Sequence, residues 1–352
     1  MKIVVLGGGQ MGRVIAADLA RSLPEARVEV ADLRAPLLPD AGNLAWVETD
    51  CSDPLAVARL ISGYDLAVGA LPSRFGFATM RAAIDAKRPL VDVSFAAENP
   101  LALDPQARAA GVAIVPDCGL APGLSHLSAG HAASQGAIEE LVMDVGGVAQ
   151  DASRPYGYVV TWSLDDLLEE YVRPARFVRD GKPTVVPVFS QVENVQVDGV
   201  GEMEAFVSDG LRTAIETFAD VPNMCERTLR WPGHVAQVRP LVESGRFLEE
   251  FRARCVVPEP RDLVALVVRV RWKDGRRERL TLVDRWDAAT GMTAMARTTA
   301  MTTAVTAALL ARGGAREPGV HPLEHVGRNE AAYRFIVDGL AGRGVRMAWR
   351  EE

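Results

Sequence analysis

The sequence predicts an α/β protein in which a doubly wound parallel sheet carries an inserted α/β domain built on a mixed, largely antiparallel sheet. Three observations support that fold class. In the first third of the 352 residues, short apolar strands alternate with helices across short links, as in a parallel sheet covered on both faces. From Ile138 the texture changes to longer strands and hairpins, and from Gly291 it returns to helix. We therefore divide the chain into a first domain over 1–122, an inserted domain over 123–290, and a segment over 291–352 that is expected to pack back on the first domain.

The opening strand, KIVVL from Lys2 to Leu6, runs into Gly7, Gly9 and Gly12 at G-x-G-x-x-G spacing, then into a helix on which Met11, Val14, Ile15 and Leu19 share one face. The first glycine permits the tight turn, the second lets a pyrophosphate approach bare backbone, and the third lets helix and strand pack closely. The phosphates then lie on the positive end of the helix. The next strand, Arg27 to Ala31, ends in Asp32, twenty residues past Gly12, where a carboxylate accepts hydrogen bonds from the adenosine ribose and repels a 2′-phosphate. This is the Rossmann arrangement, and it predicts NAD. Arg34, two residues on, leaves NADP possible. Gly7, Gly9, Gln10, Met11, Gly12 and Asp32 are the expected cofactor contacts.

The alternation continues with the strand Leu44 to Thr49, a helix to Ile61, the strand DLAVGALPS (Asp65 to Ser73), a helix from Phe77 to Lys87, the strand Pro89 to Ser94, a helix from Leu101 to Ala110, and the strand Val112 to Pro116. Ligands of such sheets lie beyond the carboxyl ends of the strands. That rule puts Asp50, Leu71, Pro72, Ser73, Asp92, Ser94 and Asp117 at the ligand edge. Asp50, Leu71, Pro72 and Asp92 are expected on the cofactor and Ser73 on the substrate, with Asp92 and Asp117 as candidates for proton transfer. A solvated loop end or helix cap is the competing reading for each carboxylate.

The segment CGLAPGLSHLSAGHAA begins with a glycine turn and continues as a helix. His126 and His131 on it are five apart, which does not place them as an i,i+4 metal pair. Cys51, Cys118, Cys225 and Cys255 are scattered without C-x-x-C spacing, so neither a metal site nor a disulfide framework is expected. A net charge of −7 argues against nucleic-acid partners, and Arg276, Arg277 and Arg279 sit near a hairpin turn as solvated groups. No leader-like opening and no apolar run of about 18 residues is found, so a cytoplasmic protein without membrane contact is expected.

In the middle domain ELVMDVGGV and YGYVVTWS read as strands. LDDLLEEY reads as a helix with Leu164, Leu167, Leu168 and Tyr171 on its apolar side. Two hairpins turn at Asp180-Gly181 and Asp274-Gly275. A sheet of this kind has an edge or face that a second subunit would cover, which predicts a homodimer or higher homo-oligomer. The C-terminal part holds two helices, TTAMTTAVTAALLARGG and NEAAYRFIVDGLAG, and the strand-like VRMAW.

Polar and aromatic residues of the middle domain fall in three blocks, TWSLDDLLEEYVRPA (Thr161 to Ala175), SDGLRT (Ser208 to Thr213) and CERTLRWPGH (Cys225 to His234). Arg212 and Arg230 are planar cations suited to a substrate carboxylate, and His234 is the titratable group of the set. A helix-terminal salt bridge for Arg212 and a satisfied core or capping histidine for His234 are the competing readings.

Together GGGQMG, PDCGLAPGLS, TWSLDDLLEEYVRPA, SDGLRT and RTLRWPGH resemble the saccharopine dehydrogenase-like superfamily over nearly the whole chain, and within it the lysine 6-dehydrogenase branch. The resemblance implies a Rossmann domain completed by the C-terminal segment, an inserted domain that supports dimerisation, and NAD(P)-linked oxidation of an amine on a small amino-acid substrate. It puts Thr161, Tyr171, Arg212 and Arg230, with Ser73, around that substrate and leaves the general base open among Asp92, Asp117 and His234. Such chemistry takes a hydride from the carbon bearing a neutral nitrogen and leaves an iminium for water to hydrolyse. A lysine ε-ammonium has a pKa near 10.4, so presenting it neutral at pH 7 costs about 4.6 kcal/mol. A desolvating pocket, to which Tyr156, Trp162 and Tyr171 would contribute, reduces that cost.

The expected reaction is oxidation of L-lysine at its terminal amine to 2-aminoadipate 6-semialdehyde and ammonia. A reductase-type saccharopine dehydrogenase or a related opine or diamino-acid dehydrogenase is the alternative, ahead of a lyase that uses NAD without net redox and a nucleotide sensor. Saccharopine carries three carboxylates and would call for several converging cations. The blocks instead hold Asp165, Asp166, Glu169, Glu170, Asp209 and Glu226 beside Arg212, Arg230, Arg173 and Arg227; some of these carboxylates would pair with a substrate ammonium, and a solvated helix face is the competing reading for most.

Overall fold

The computed structural model describes all 352 residues, arranged as two compact units: Met1–Gly130 with Thr299–Arg343, and His131–Thr298 with Gly344–Glu352. In chain order the first part holds β1 (Lys2–Leu6), α1 (Gln10–Ser22), β2 (Arg27–Asp32), β3 (Leu44–Glu48), α2 (Pro54–Ser62), β4 (Leu66–Gly69), α3 (Ser73–Asp85), β5 (Leu90–Asp92), α4 (Asp104–Ala110), β6 (Ala113–Val115) and α5 (Leu124–Ser134). The middle holds β7 (Ile138–Ala149), α6 (Leu164–Val172), β8 (Ala175–Arg179), β9 (Lys182–Val186), β10 (Val192–Val197), β11 (Gly201–Ser208), α7 (Ala214–Thr217), β12 (Asn223–Arg230), α8 (His234–Glu243), α9 (Phe247–Arg254), β13 (Asp262–Trp272) and β14 (Arg277–Arg285). The chain ends with α10 (Met301–Ala311), β15 (Gly319–Val320), α11 (Leu323–Gly327), α12 (Glu330–Ala341) and β16 (Ala348–Glu351). No helix is long and apolar enough to cross a membrane.

The first unit is a parallel sheet in the order β15-β6-β5-β4-β1-β2-β3. Ile3, Val4, Val5 and Leu6 of β1 are fully buried, as a central strand covered on both faces requires. The chain moves outward from β1 through β2 to β3, then resumes at β4 on the other side of β1, so the strand order reverses between β1 and β4. That switch point is where open α/β sheets bind ligands. The C-terminal segment supplies the seventh strand, with Gly319 opposite Ala113. It is also tied to α1 by Arg343, whose guanidinium grips the buried Asp18 carboxylate at 2.5 and 2.9 Å.

One strand is shorter than the sequence predicts. β4 stops at Gly69, and α3 begins at Ser73 rather than Phe77 because Pro72, at φ −53 and ψ 146, turns the chain straight into the helix.

The second unit is a mixed sheet in the order β10-β11-β12-β7-β13-β14-β16, with the β8–β9 hairpin attached to β12. Only β7 and β12 among its neighbours run parallel. Both Asx-Gly turns form as expected.

Two expectations need correction. YGYVVTWS is not a strand: Tyr156 and Gly157 adopt left-handed backbone at φ 57 and 60, and the segment continues as a loop whose Val160 amide donates to Cys255 O at 2.9 Å. Its pattern reflects the packing of Tyr156, Tyr158, Val160 and Trp162 into a cluster with Leu167, Tyr171, Phe206, Phe247 and Phe251, not pairing in a ladder. The last residues, expected on the first domain, belong to the second unit, where β16 pairs antiparallel to β14 with Trp349 opposite Leu280. Glu352 then lies 3.4 Å from Arg279, so β16 both covers the β14 edge and pairs its charge.

Candidate functional site

At the switch point of the first unit the glycines have separable reasons. Gly7 sits at φ +98, and a Cβ there would press on Ala70 O. Gly12 packs against the Gly7 carbonyl so closely that a Cβ would overlap it. Gly9 has an ordinary φ of −69, and a Cβ on it would meet nothing within 4 Å. Nothing inside the protein requires glycine there, whereas a ligand lying on bare backbone does. Gly9 also caps α1, whose first turn carries no acidic residue and no side-chain cap, so its positive end is open to phosphate with Gln10 and Met11 beginning the helix. Asp32 is oriented at the end of β2 by the amides of Gly8 at 2.7 Å and Arg34 at 3.1 Å. This set fits a dinucleotide. Leu71 lies half-buried near Gly7, and exposed Pro72 caps α3. Asp50, exposed, accepts from the Ser52 amide and hydroxyl at 2.9 and 2.6 Å, which gives its carboxylate a local turn to hold.

Farther along the same edge Asp92 ends β5. It is 1% exposed. Its Oδ1 accepts from the Ser94 amide at 2.8 Å and from the Ser94 hydroxyl, while its Oδ2 has no hydrogen-bond partner. Gly69 and Gly76 make the room, since a Cβ on either would overlap the Asp92 carboxylate or the Ser94 hydroxyl. Burial pushes the Asp92 carboxyl up, Ser94 opposes, the nearby Asp117 charge adds to the rise, and the value reaches about 6. Ser73 opens α3 with its hydroxyl accepting from the Phe95 amide at 3.1 Å. Asp117, also buried, holds φ 51, an uncommon backbone for a residue with a Cβ that its surroundings must enforce.

In the second unit the three sequence blocks fold into one buried polar network. Arg230 of β12 donates from Nε to Tyr171 Oη at 2.8 Å, from one terminal nitrogen to Leu229 O at 2.9 Å and from the other to Glu170 Oε1 at 3.0 Å. Thr228, on the same face of β12, donates to the same Glu170 oxygen at 2.7 Å. His234 Nδ1 lies 2.7 Å from the Tyr156 carbonyl and must donate to it, which leaves Nε2 to accept from Tyr171 Oη at 2.9 Å. Glu204 of β11 places its carboxylate on the amides of Gly233 and Val235 and caps α8.

This network bears on three of the expected site residues. Burial, aided by the Arg230 charge, holds His234 down to about 3, and both ring nitrogens are engaged, so the ring is held neutral within the network. Tyr171 is fully buried with its hydroxyl shared between Arg230 and His234, and burial keeps it well above the usual phenol range. Arg230 is committed to Glu170 and Tyr171 rather than presented to a carboxylate. Thr161 is buried in the loop before α6. Arg212 is buried too and holds φ 50, just after Gly210.

Sequence reasoning named Glu170 and Glu226 only within a group of carboxylates that would pair with a substrate ammonium, and it gave no role to Glu204 or Tyr158. One signal was available: Glu226, Thr228 and Arg230 recur at period two along a central strand, so three polar side chains share one face.

Two family models match the chain, the saccharopine dehydrogenase NADP-binding domain over residues 3–115 and the saccharopine dehydrogenase C-terminal domain over 119–345. The saccharopine dehydrogenase (NADP+, L-glutamate-forming) of Pyricularia oryzae is 26% identical over 263 residues, covering 70% of this chain and 58% of its own length. The Saccharomyces cerevisiae enzyme of the same name is 23% identical, covering 70% of this chain and 59% of its own. These alignments therefore span under two thirds of the relatives' length. Among solved structures, apo saccharopine dehydrogenase (L-Glu forming) from Saccharomyces cerevisiae superposes with a TM-score of 0.75 at 18% identity, covering 100% of this chain and 99% of that one. Homospermidine synthase from Legionella pneumophila in complex with NAD gives 0.74 at 12% identity, covering 100% and 91%. The two architectures agree with that likeness, and the glycine loop, open helix end and Asp32 agree with the matched nucleotide domain. The chain belongs to the saccharopine dehydrogenase family, and its first unit is an NAD(P)-binding domain.

Proposed function

We propose that the protein is an NAD(P)-dependent dehydrogenase acting on the CH–NH group of an amino acid, with L-lysine oxidised at its terminal amine as the substrate reading. The observation that carries this reading is the balance of charge inside the second unit. Arg230, the cation expected to take a further carboxylate, is already held by Glu170 and Tyr171, while buried Glu226 keeps an oxygen without a partner. A substrate with one carboxylate and two amines suits that balance better than one with three carboxylates, because each desolvated anion needs its own pairing.

Gly9 and the open end of α1 would hold the pyrophosphate, and Asp32 the adenosine ribose, which favours NAD over NADP. Bound NAD(P) supplies the hydride acceptor. Asp92 is the proton acceptor in this reading: a value of about 6 keeps it ionised yet basic near neutrality, Ser94 fixes its Oδ1, and its Oδ2 is unengaged. Arg212 binds the α-carboxylate by a bidentate contact. Around Tyr158 and Tyr171 the aromatic packing excludes water from the second unit's polar network.

A second reading, saccharopine dehydrogenase, is favoured by the names of the curated relatives. The test supplies L-lysine, L-ornithine and saccharopine separately with NAD and with NADP and follows the reduced cofactor and released ammonia. Reduced cofactor with ammonia from L-lysine is expected, at higher kcat/KM with NAD. Turnover of saccharopine alone would overturn the substrate reading, and equal or better use of NADP would overturn the cofactor preference.

A further inference from the structure

On the face of β12 that meets α6, Thr228 and Arg230 are both bonded to Glu170, but Glu226 is not. Its Oε2 has no hydrogen-bond partner although the residue is only 4% exposed. Directly across the ladder on β11, Ser208 pairs with Glu226, and its hydroxyl is likewise buried without a partner. Cross-strand partners point to the same face, so an unengaged carboxylate oxygen and an unengaged hydroxyl are carried by paired positions on one face of the sheet. Each costs free energy while unpaired, and native proteins leave few such groups without a reason. The arrangement is also built for. Gly210, in the loop after β11, abuts the Glu226 carboxyl so closely that a Cβ would overlap its Oε1. Two residues on, the same loop holds Arg212 in its left-handed conformation, and the Arg212 charge acts on Glu226.

We propose that Glu226 and Ser208 receive the α-ammonium group of the amino-acid substrate while Arg212 takes its α-carboxylate, so that the loop and two strands read the zwitterionic head of an α-amino acid. This rests on the amino-acid dehydrogenase reading and deepens it. An ammonium offers three donors and no acceptor, which a carboxylate oxygen and a hydroxyl oxygen satisfy. Glu170 on α6, Asp209 in the loop after β11 and Asp144 on β7 all raise the Glu226 carboxyl, although each is itself paired with an arginine (Arg230, Arg176 and Arg227 respectively), and Arg212 acts against them. Burial contributes most, and the carboxyl stands at about 8. Receiving an ammonium requires the ionised form, so binding releases a proton below that value and strengthens as pH rises toward it.

The test compares L-lysine with 6-aminohexanoate, which keeps the carboxylate and terminal amine but lacks the α-amine. Binding is measured by calorimetry with NAD or NADP present, and kcat/KM is measured alongside. The wild type should prefer L-lysine by about tenfold or more, a factor within reach of one charge-assisted contact. Glu226→Gln should erase that preference by weakening L-lysine, leave cofactor affinity unchanged, and abolish the rise in L-lysine affinity between about pH 6.5 and 8. Ser208→Ala should weaken L-lysine by roughly threefold through loss of one hydrogen bond. Because a carboxyl at about 8 is mostly neutral in the free protein near pH 7, Glu226→Gln should leave thermal stability there close to that of the wild type, which guards against a folding artefact. A retained preference in Glu226→Gln, or none in the wild type, overturns the inference. Should the wild type turn over saccharopine and not L-lysine, the substrate reading fails, and the head-group inference is judged by the saccharopine KM. That KM rises in Glu226→Gln if the inference is right and stays unchanged if it is wrong.

Discussion

The two units build their chemistry from different materials. In the first, the cofactor edge is made of backbone: a glycine with nothing beside it, a helix end without a cap, and a strand whose carboxylate is aimed by two amides. In the second, the polar site is made of the side chains of Glu170, Tyr171, Thr228, Arg230 and His234 with the Tyr156 carbonyl, joined by hydrogen bonds across as many as 78 residues. A backbone site fails when a Cβ intrudes, whereas a side-chain network fails when one member loses its partner. Variants can therefore separate the two kinds of dependence.

The largest effect is expected at Gly12. Gly12→Val forces side-chain atoms into the Gly7 carbonyl, where only backbone can yield, and should destabilise the first unit by about 3–4 kcal/mol. Gly9→Ala, three residues away, should leave thermal stability within about 0.5 kcal/mol but weaken NAD(P) by roughly tenfold. Thermal unfolding and cofactor titration of both variants check this. Equal destabilisation by both would mean that Gly9 serves the fold and not a ligand.

Next in size is Asp92→Asn, which keeps the shape and removes the proton acceptor. A loss of about a hundredfold in kcat is expected, the lower end of what general bases contribute. The sign follows from the reading: the base must be ionised, so wild-type kcat/KM should rise with pH through about 6, and Asp92→Asn should lack that limb. An unmodified histidine would titrate near the same pH. His234 cannot supply the limb because it is held near 3, so His234→Gln should leave the limb where it is. A limb that follows His234 and not Asp92 would reverse the assignment.

The same contrast explains what could be read from the chain. The glycine spacing, Asp32 and the strand–helix alternation are local patterns with one geometric meaning, and they located the sheet and the carboxyl ends of its strands. Gly69 and Gly76 carried no such meaning until β5 lay beside them with Asp92 and Ser94. In the second unit, Arg230 and His234 were singled out as chemically capable groups. Their actual partners, Glu170, Tyr171 and the Tyr156 carbonyl, come from α6 and a loop far away in sequence, and no spacing rule encodes that meeting. YGYVVTWS was misread for a related reason: alternation says which residues are buried, but not whether a strand or an aromatic cluster buries them.

The smallest effect tests whether that network is one cooperative object. Tyr171→Phe removes a single hydroxyl, yet it leaves Arg230 Nε without its acceptor and His234 Nε2 without its donor, both in a fully buried setting. One unsatisfied buried group costs roughly 1–3 kcal/mol, and a loss of about 2 kcal/mol by chemical denaturation is expected here, with NAD(P) affinity unchanged. The pH dependence adds a second readout. His234 binds a proton in the unfolded chain near its usual value and in the folded chain only near 3, so the unfolded state holds more protons between those values. Stability is therefore full above about 6.5 and falls as pH drops from there toward 3, and His234→Gln should flatten that slope. If Tyr171→Phe costs nothing and His234→Gln leaves the slope unchanged, the hydrogen bonds joining α6, β12 and α8 do not act together. The second unit would then depend on its apolar packing in the way the first depends on its backbone.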